Sequence, residues 1–271
     1  MLEITGKRNL DGWVAFLGQT AIPVLSSTGK ELEELRSNEM SLNARNVSRV
    51  ILKDPLMTVK LLNYLQTRRS ATQSTEVVQV EDALLLLGLD AFYNNVPCQP
   101  IVESMLEGEE EARHHCLGVI HRAHRAANYA IEWAIMLHDM HFNEIYTATL
   151  LHDLAEILMW CFSPADMLLI RHAQEMDSTL RSRDAQLRYL GFPLRDLQVR
   201  LAQQWSLPKL LLTLMDQGHS RQTRVRNVVL AVNLARHSSE GWDNAALPDD
   251  FKDISELLHL PAPQIRDMLL P

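Results

Sequence analysis

The stretch Leu150-Leu151-His152-Asp153-Leu154-Ala155-Glu156-Ile157-Leu158-Met159-Trp160 sets a histidine and two carboxylates into an apolar run. Leu150, Leu151, Leu154, Ile157 and Leu158 fall at i, i+1, i+4, i+7 and i+8, the spacing of one buried helix face. This spacing predicts a helix from an N-cap at Asn143 to about Cys161. On that helix His152 and Glu156, four residues apart, share a face. An adjacent His-Asp pair can supply two metal ligands. It can equally be a hydrogen-bonded polar pair beside a core. The residues alone leave both readings open.

The rest of the chain suits a helical surrounding for that stretch. Of 271 residues, 46% are apolar but only 6% aromatic, and there are 10 glycines, so the core is built from Leu, Ile, Val, Ala and Met. Alternating apolar/polar runs are few, which favours an all-α fold. The net charge of −8 argues against broad nucleic-acid binding, which requires a basic face to displace counterions. Arg221, Arg224 and Arg226 form a local basic cluster that reads as a solvated helix face. Cys98, Cys116 and Cys161 are odd in number and widely spaced, which excludes a disulfide framework or zinc ribbon and fits a reducing compartment. No signal-peptide pattern is visible at the start, and no apolar run approaches the ~18 residues of a membrane span. A soluble cytoplasmic protein without membrane contact is expected.

Helix punctuation divides the chain further. Helices are expected over 10–21, 29–39 (capped from Ser26, Ser27 or Thr28) and 42–53 (capped by Ser41). Asp54-Pro55 combines an N-cap with a proline at the first helical position and opens a helix to about Thr67. Residues 68–79 read as a polar loop, Val80–Leu89 as a helix closed by Gly88, and 90–106 as a helix weakened by Pro97 and Pro100. The acidic run Glu107-Gly108-Glu109-Glu110-Glu111 marks a soft boundary between 1–107 and 108–271. Beyond it lie a histidine-rich helix of about 110–137, a helix from Pro164 to 176, one over 179–190 capped by Ser178, and one from Pro193 to 204. Further helices are expected over 208–217, 221–237, 250–258 and 263–270. No nucleotide-binding glycine loop and no G-x-S-x-G is present.

Several of these segments, in order, resemble one family. Ile51-Leu52-Lys53-Asp54-Pro55-Leu56-Met57-Thr58-Val59-Lys60-Leu61-Leu62 is similar to the I-x-x-D-P-x-L-x-x-x-L-L helix pair of the HDOD family of bacterial signalling proteins. Ile22-Pro23-Val24-Leu25 resembles its L-P-x-L opening, and Val80 to Leu89 its I-x-x-A-I-x-x-L-G helix. Where the family usually has Asn-Ser-Ala, this chain has Tyr64-Leu65-Gln66-Thr67. The resemblance spans about 20–260 and implies an N-terminal helical bundle packed on an HD-like helical lobe.

It also implies a place to look for chemistry. The related HD phosphohydrolases build a metal site from a His on one helix, an adjacent His-Asp and a distant Asp. His115, His152 and Asp153 match the first three positions, with His115-Cys116-Leu117 resembling the family's H-S-L. The remaining positions depart. The family's Gly-Lys is Ala155-Glu156, the Gly191–Leu194 segment has no His, only His219 remains of a histidine pair, and Val232 or Asn233 replaces the distal Asp. His115, His152, Asp153, Glu156 and His219 are thus the candidate, vestigial ligands, with no catalytic residue assigned. A divalent metal is the one cofactor this set suggests, and with its distal carboxylate gone the expectation leans to none. His114, His121, His124, His138 and His141 read as surface residues. His121 and His124, at i and i+3, lack an obvious third zinc ligand.

The resemblance therefore implies a non-catalytic signal-transduction output module. Its partner would be a signalling protein such as a receiver, a kinase or a cyclic-dinucleotide enzyme. The alternative is a metal-dependent phosphohydrolase acting on a nucleotide or cyclic dinucleotide. No receiver pattern accompanies the module, so an isolated output module or a fragment is expected.

Overall fold

The computed structural model describes residues 8–68, 76–177, 179–216, 218 and 222–270. Among these, the regular elements are all α-helices, and one isolated parallel bridge joins Val24 to Ile101. The first group comprises α1 (Leu10–Gln19), α2 (Ser26–Arg36), α3 (Ala44–Ile51), α4 (Pro55–Thr67), α5 (Val80–Leu87), α6 (Leu89–Asn95) and α7 (Val102–Met105). The second begins with α8 (Glu110–Met136), α9 (Phe142–Leu150), α10 (Leu154–Phe162), α11 (Pro164–Met176) and α12 (Ser182–Tyr189). It continues through α13 (Leu194–Gln204), α14 (Lys209–Leu214), α15 (Thr223–His237), α16 (Leu247–Leu258) and α17 (Ala262–Leu269). None is long and apolar enough to cross a membrane among the described residues.

Helix α4 is the hub of the first group. Leu56, Met57, Val59, Leu61 and Leu62 are all fully buried, so it is enclosed on most sides rather than along one stripe. Its start is fixed as the sequence predicts. Asp54 caps it, with Oδ1 accepting from the N–H of Leu56 (2.9 Å) and Met57 (3.1 Å), and Pro55 takes the first helical position. The second carboxylate oxygen accepts from Leu25 N (2.8 Å) and Thr28 Oγ1 (2.9 Å), which ties the start of α2 to the start of α4.

That tie explains where α2 begins. The helix starts at Ser26, three residues before the sequence expectation, with Leu25 rather than a Ser or Thr at the N-cap. Its first N–H groups find distant acceptors: Leu25 N meets Asp54, and Ser26 N meets Glu103 Oε2 at 3.0 Å. Tertiary carboxylates replace the local cap. Helix α3, by contrast, starts later than expected and keeps a local cap, Asn43 accepting from Asn46 N at 2.9 Å in place of Ser41. The single helix expected over 90–106 is two short ones, α6 and α7, separated by the segment carrying Pro97 and Pro100. Gly88 joins α5 to α6 at φ 82° and ψ 143°, a conformation essentially reserved for glycine. Helix α12 begins at Ser182; the expected cap, Ser178, lies outside the described residues.

Helix α8, 27 residues long, is the axis of the second group and packs against α9, α10 and α15. Small residues permit the close approach. Ala123 and Ala127 lie against Leu150, while Ala126 lies against Val232 and Ala235. Helix α1 packs on α13, with Arg200 bonded to Asp11 at 2.7 Å and Phe16 meeting Phe162 edge-on at 5.6 Å between ring centres. One continuous core runs from Trp13 to Leu269.

The largest departure from the sequence expectation concerns the opening stretch. The helix expected from Asn143 to Cys161 is two helices, α9 and α10, and His152-Asp153 lies in the turn between them.

Candidate functional site

The α9–α10 turn is built from short-range bonds: His152 N donates to Thr149 O at 3.2 Å and Leu154 N to Leu151 O at 3.3 Å. Two groups that a continuous helix would have paired are taken instead by one side chain. Gln198, buried on α13, donates from Nε2 to Leu151 O (2.9 Å) and accepts at Oε1 from Ala155 N (2.7 Å). It stands in for the missing helical turn and holds the His-Asp pair at the break. Gln198→Leu should therefore orphan the buried N–H of Ala155, leave Leu151 O with only its longer bond from Leu154 N, and lower unfolding stability by about 2 kcal/mol. Urea titration followed by circular dichroism checks this; a loss below about 0.5 kcal/mol would show the turn stands without it.

The Asp153 side chain is only 9% exposed and accepts from three side chains. His152 Nδ1 lies 2.9 Å from Oδ1, Arg122 Nη2 donates to Oδ2 at 3.1 Å, and Arg236 Nη2 approaches Oδ1 at 3.3 Å. Arg122, on α8, also donates to Glu156 Oε2 at 2.8 Å. Burial by itself pushes the Asp153 carboxyl up. Arg236, the His152 hydrogen bond and Arg122 outweigh it and hold the carboxyl well below the usual carboxylate range. Burial likewise disfavours the Arg122 charge, but Glu156 and Asp153 more than offset it and raise its pKa.

His115 sits elsewhere. It stacks on Trp160, 5.2 Å between ring centres and 24° between planes. Burial, with Arg171 and His114 nearby, lowers its pKa. His152, Asp153, Glu156 and Arg236 line a cavity of about 820 Å³. His115, Arg122, Glu156 and Trp160 line a second, of about 400 Å³. Of the candidate ligands, His152, Asp153 and Glu156 are thus brought together around Arg122, with Glu156 on the wall of both cavities and His115 on that of the second alone. His219 lies outside the described residues, as does Arg221.

Other sequence expectations are resolved by pairing. Arg224 donates to both oxygens of Asp139 (2.6 and 2.9 Å), and Arg226 to Glu256 (2.8 Å). His124 is half-buried rather than a free surface residue, its Nε2 against the carbonyl of Lys53, and burial lowers its pKa. It joins the second group of helices to the end of α3.

The residues do not fit the divalent metal that the HD resemblance implies. Among the described residues, no three His, Cys, Asp or Glu side chains are grouped so as to hold a metal ion. The chemistry of the donors agrees. Both oxygens of Asp153 are already engaged by cationic guanidiniums, which contribute donors and positive charge where a metal needs acceptors. Sequence reasoning missed Arg122, Arg236 and Gln198, the three side chains that shape this turn.

Fold and site together define an all-helical HD-like module with an ion-paired His-Asp turn. The HDOD domain profile matches residues 22–221, and the chain belongs to the HDOD domain family. No curated protein sequence matches it. Among solved structures, a virulence factor from Campylobacter jejuni is similar, with a TM-score of 0.66 and 17% identity over 92% of this chain and 89% of that one. The MmoQ response regulator from Methylococcus capsulatus str. Bath has a TM-score of 0.63 and 17% identity, over 94% of this chain and all of that one. At such identities the likeness concerns the fold.

Proposed function

We propose that this HDOD domain is a non-catalytic signal-transduction output module, acting through protein–protein contacts. Family membership supports the signalling role, and the response-regulator name of one structural neighbour is consistent with it. The observation that carries the non-catalytic reading is the engagement of both Asp153 oxygens by Arg122 and Arg236. A hydrolytic metal centre requires that carboxylate free and further ligands around it. The partner in this reading is another signalling protein: a receiver, a kinase or a cyclic-dinucleotide enzyme.

The competing reading is a metal-dependent phosphohydrolase using His115, His152 and Asp153, with Glu156 as substitute ligand. Protein purified with Mn, Mg or Ni supplementation separates the two. The expected result is less than about a tenth of an equivalent of transition metal, and no hydrolysis of cyclic dinucleotides or nucleoside phosphates. Turnover abolished by His152→Ala would overturn the non-catalytic reading.

A further inference from the structure

One face of α8 carries His114, His115, Gly118, His121, Arg122 and Arg125, the spacing of a single helical stripe. These six residues line the cavity of about 400 Å³ together with Trp160, Arg171 and Glu240. We propose that this cavity is a binding site for a small oxyanion, a phosphate ester or a carboxylate, distinct from the His152-Asp153 turn.

Three observations converge on it. The first is a basic lining: Arg122, Arg125 and Arg171 and the imidazoles of His114, His115 and His121 all border the cavity, and side chains of these types bind oxygen anions. The second is charge. The lining carboxylates, Glu156 and Glu240, are already held, by Arg122 at 2.8 Å and Arg171 at 2.6 Å. Arg125 is different. It donates only to the carbonyl of Ala235 (2.7 Å), and no carboxylate partners it among the described residues. Its positive charge is available, in a protein whose net charge is −8. The third is Gly118. Glycine is a poor helix former, yet it stands inside α8 where a Cβ would meet nothing within 4 Å. Packing does not require it; its effect is to leave the cavity floor open.

The size suits a small ligand, since sites of this class occupy roughly 300–1,000 Å³. Guanidinium N–H groups recognise oxygen anions through charge-assisted bonds. The inference does not depend on the regulatory reading above.

Isothermal titration of the full chain with pyrophosphate and, separately, with succinate tests it. Saturable binding of at least one probe is expected, pyrophosphate tighter if the ligand is a phosphate ester and succinate tighter if it is a carboxylate. Arg125→Gln should weaken binding by about tenfold or more. Gly118→Leu fills the floor with a better helix former, so the melting temperature should hold or rise while binding is lost. No saturable binding of either probe up to about 10 mM would overturn the proposal. So would affinity unchanged in Gly118→Leu with the fold intact.

Discussion

Asp54→Ala should destabilise the protein by about 4 kcal/mol, one of the two largest single-residue losses expected in this chain. Four donors converge on that carboxylate: the N–H groups of Leu25, Leu56 and Met57 and the hydroxyl of Thr28. Asp54 is fully buried, and burial pushes its carboxyl up against the pull of those four bonds. Truncation leaves all four donors without water or protein acceptors, and each such orphan costs roughly 1–3 kcal/mol, not fully additively. Asp54→Asn is the sharper probe. One of its two terminal atoms becomes an NH₂ group facing donors, so it should recover little of the loss. Thr28→Val removes one donor and should cost only about 1 kcal/mol. Urea titrations of the three variants give the ordering. If Asp54→Asn kept wild-type stability, the four-donor account of this junction would be wrong.

The Asp54 junction also marks where sequence reasoning works. Its cap and its proline act on the next three residues, so Asp54-Pro55 announces α4 with its correct start. Helices α8 and α11 are equally well announced, by an acidic first turn and by Ser163-Pro164. The break between α9 and α10 is not, because its cause is distant. Apolar spacing runs unbroken through Leu150–Trp160, and only Gln198, 43 residues beyond Ala155, holds the interruption open. Arg122 and Arg236 were hidden for the same reason. Each reads as one more charge on a helix, and their shared partner is separated from them by 31 and 83 residues. The motif resemblance placed His115 on the right helix, but the residue facing Asp153 is Arg122. Those seven positions are about two helical turns, or roughly 10 Å along the axis. Motif matching along a long helix fixes the element more securely than the depth at which a side chain meets its neighbours. This is why the vestigial ligand set could be written from the sequence while the guanidiniums inside it could not.

Asp153→Ala should cost a similar amount, about 4 kcal/mol, through a different mechanism. The lost partner leaves Arg122 charged, largely buried and held only by Glu156, whose side chain is 26% exposed. A buried pair of this kind need not add much net stability. Removing one member is what costs, because an uncompensated charge remains. The double variant Arg122→Met/Asp153→Leu should therefore be clearly more stable than Asp153→Ala, with a non-additivity of about 2 kcal/mol. Arg236→Ala should cost less, about 1 kcal/mol or below, because its side chain is 43% exposed and water can replace much of the contact. The pH dependence provides an independent check with a definite sign. The folded carboxyl of Asp153 titrates well below its ordinary 3.8, so the native state favours the ionised form. Its contribution is fully present above that ordinary value and is lost as pH falls from there toward the folded pKa. The stability gap between wild type and Asp153→Asn should thus be constant from pH 7 to about pH 5 and shrink below about pH 4. A gap that persisted undiminished to pH 2.5 would mean the aspartate is not held ionised by Arg122 and Arg236. The ion-paired reading of the turn, and the non-catalytic role built on it, would then lose their physical basis.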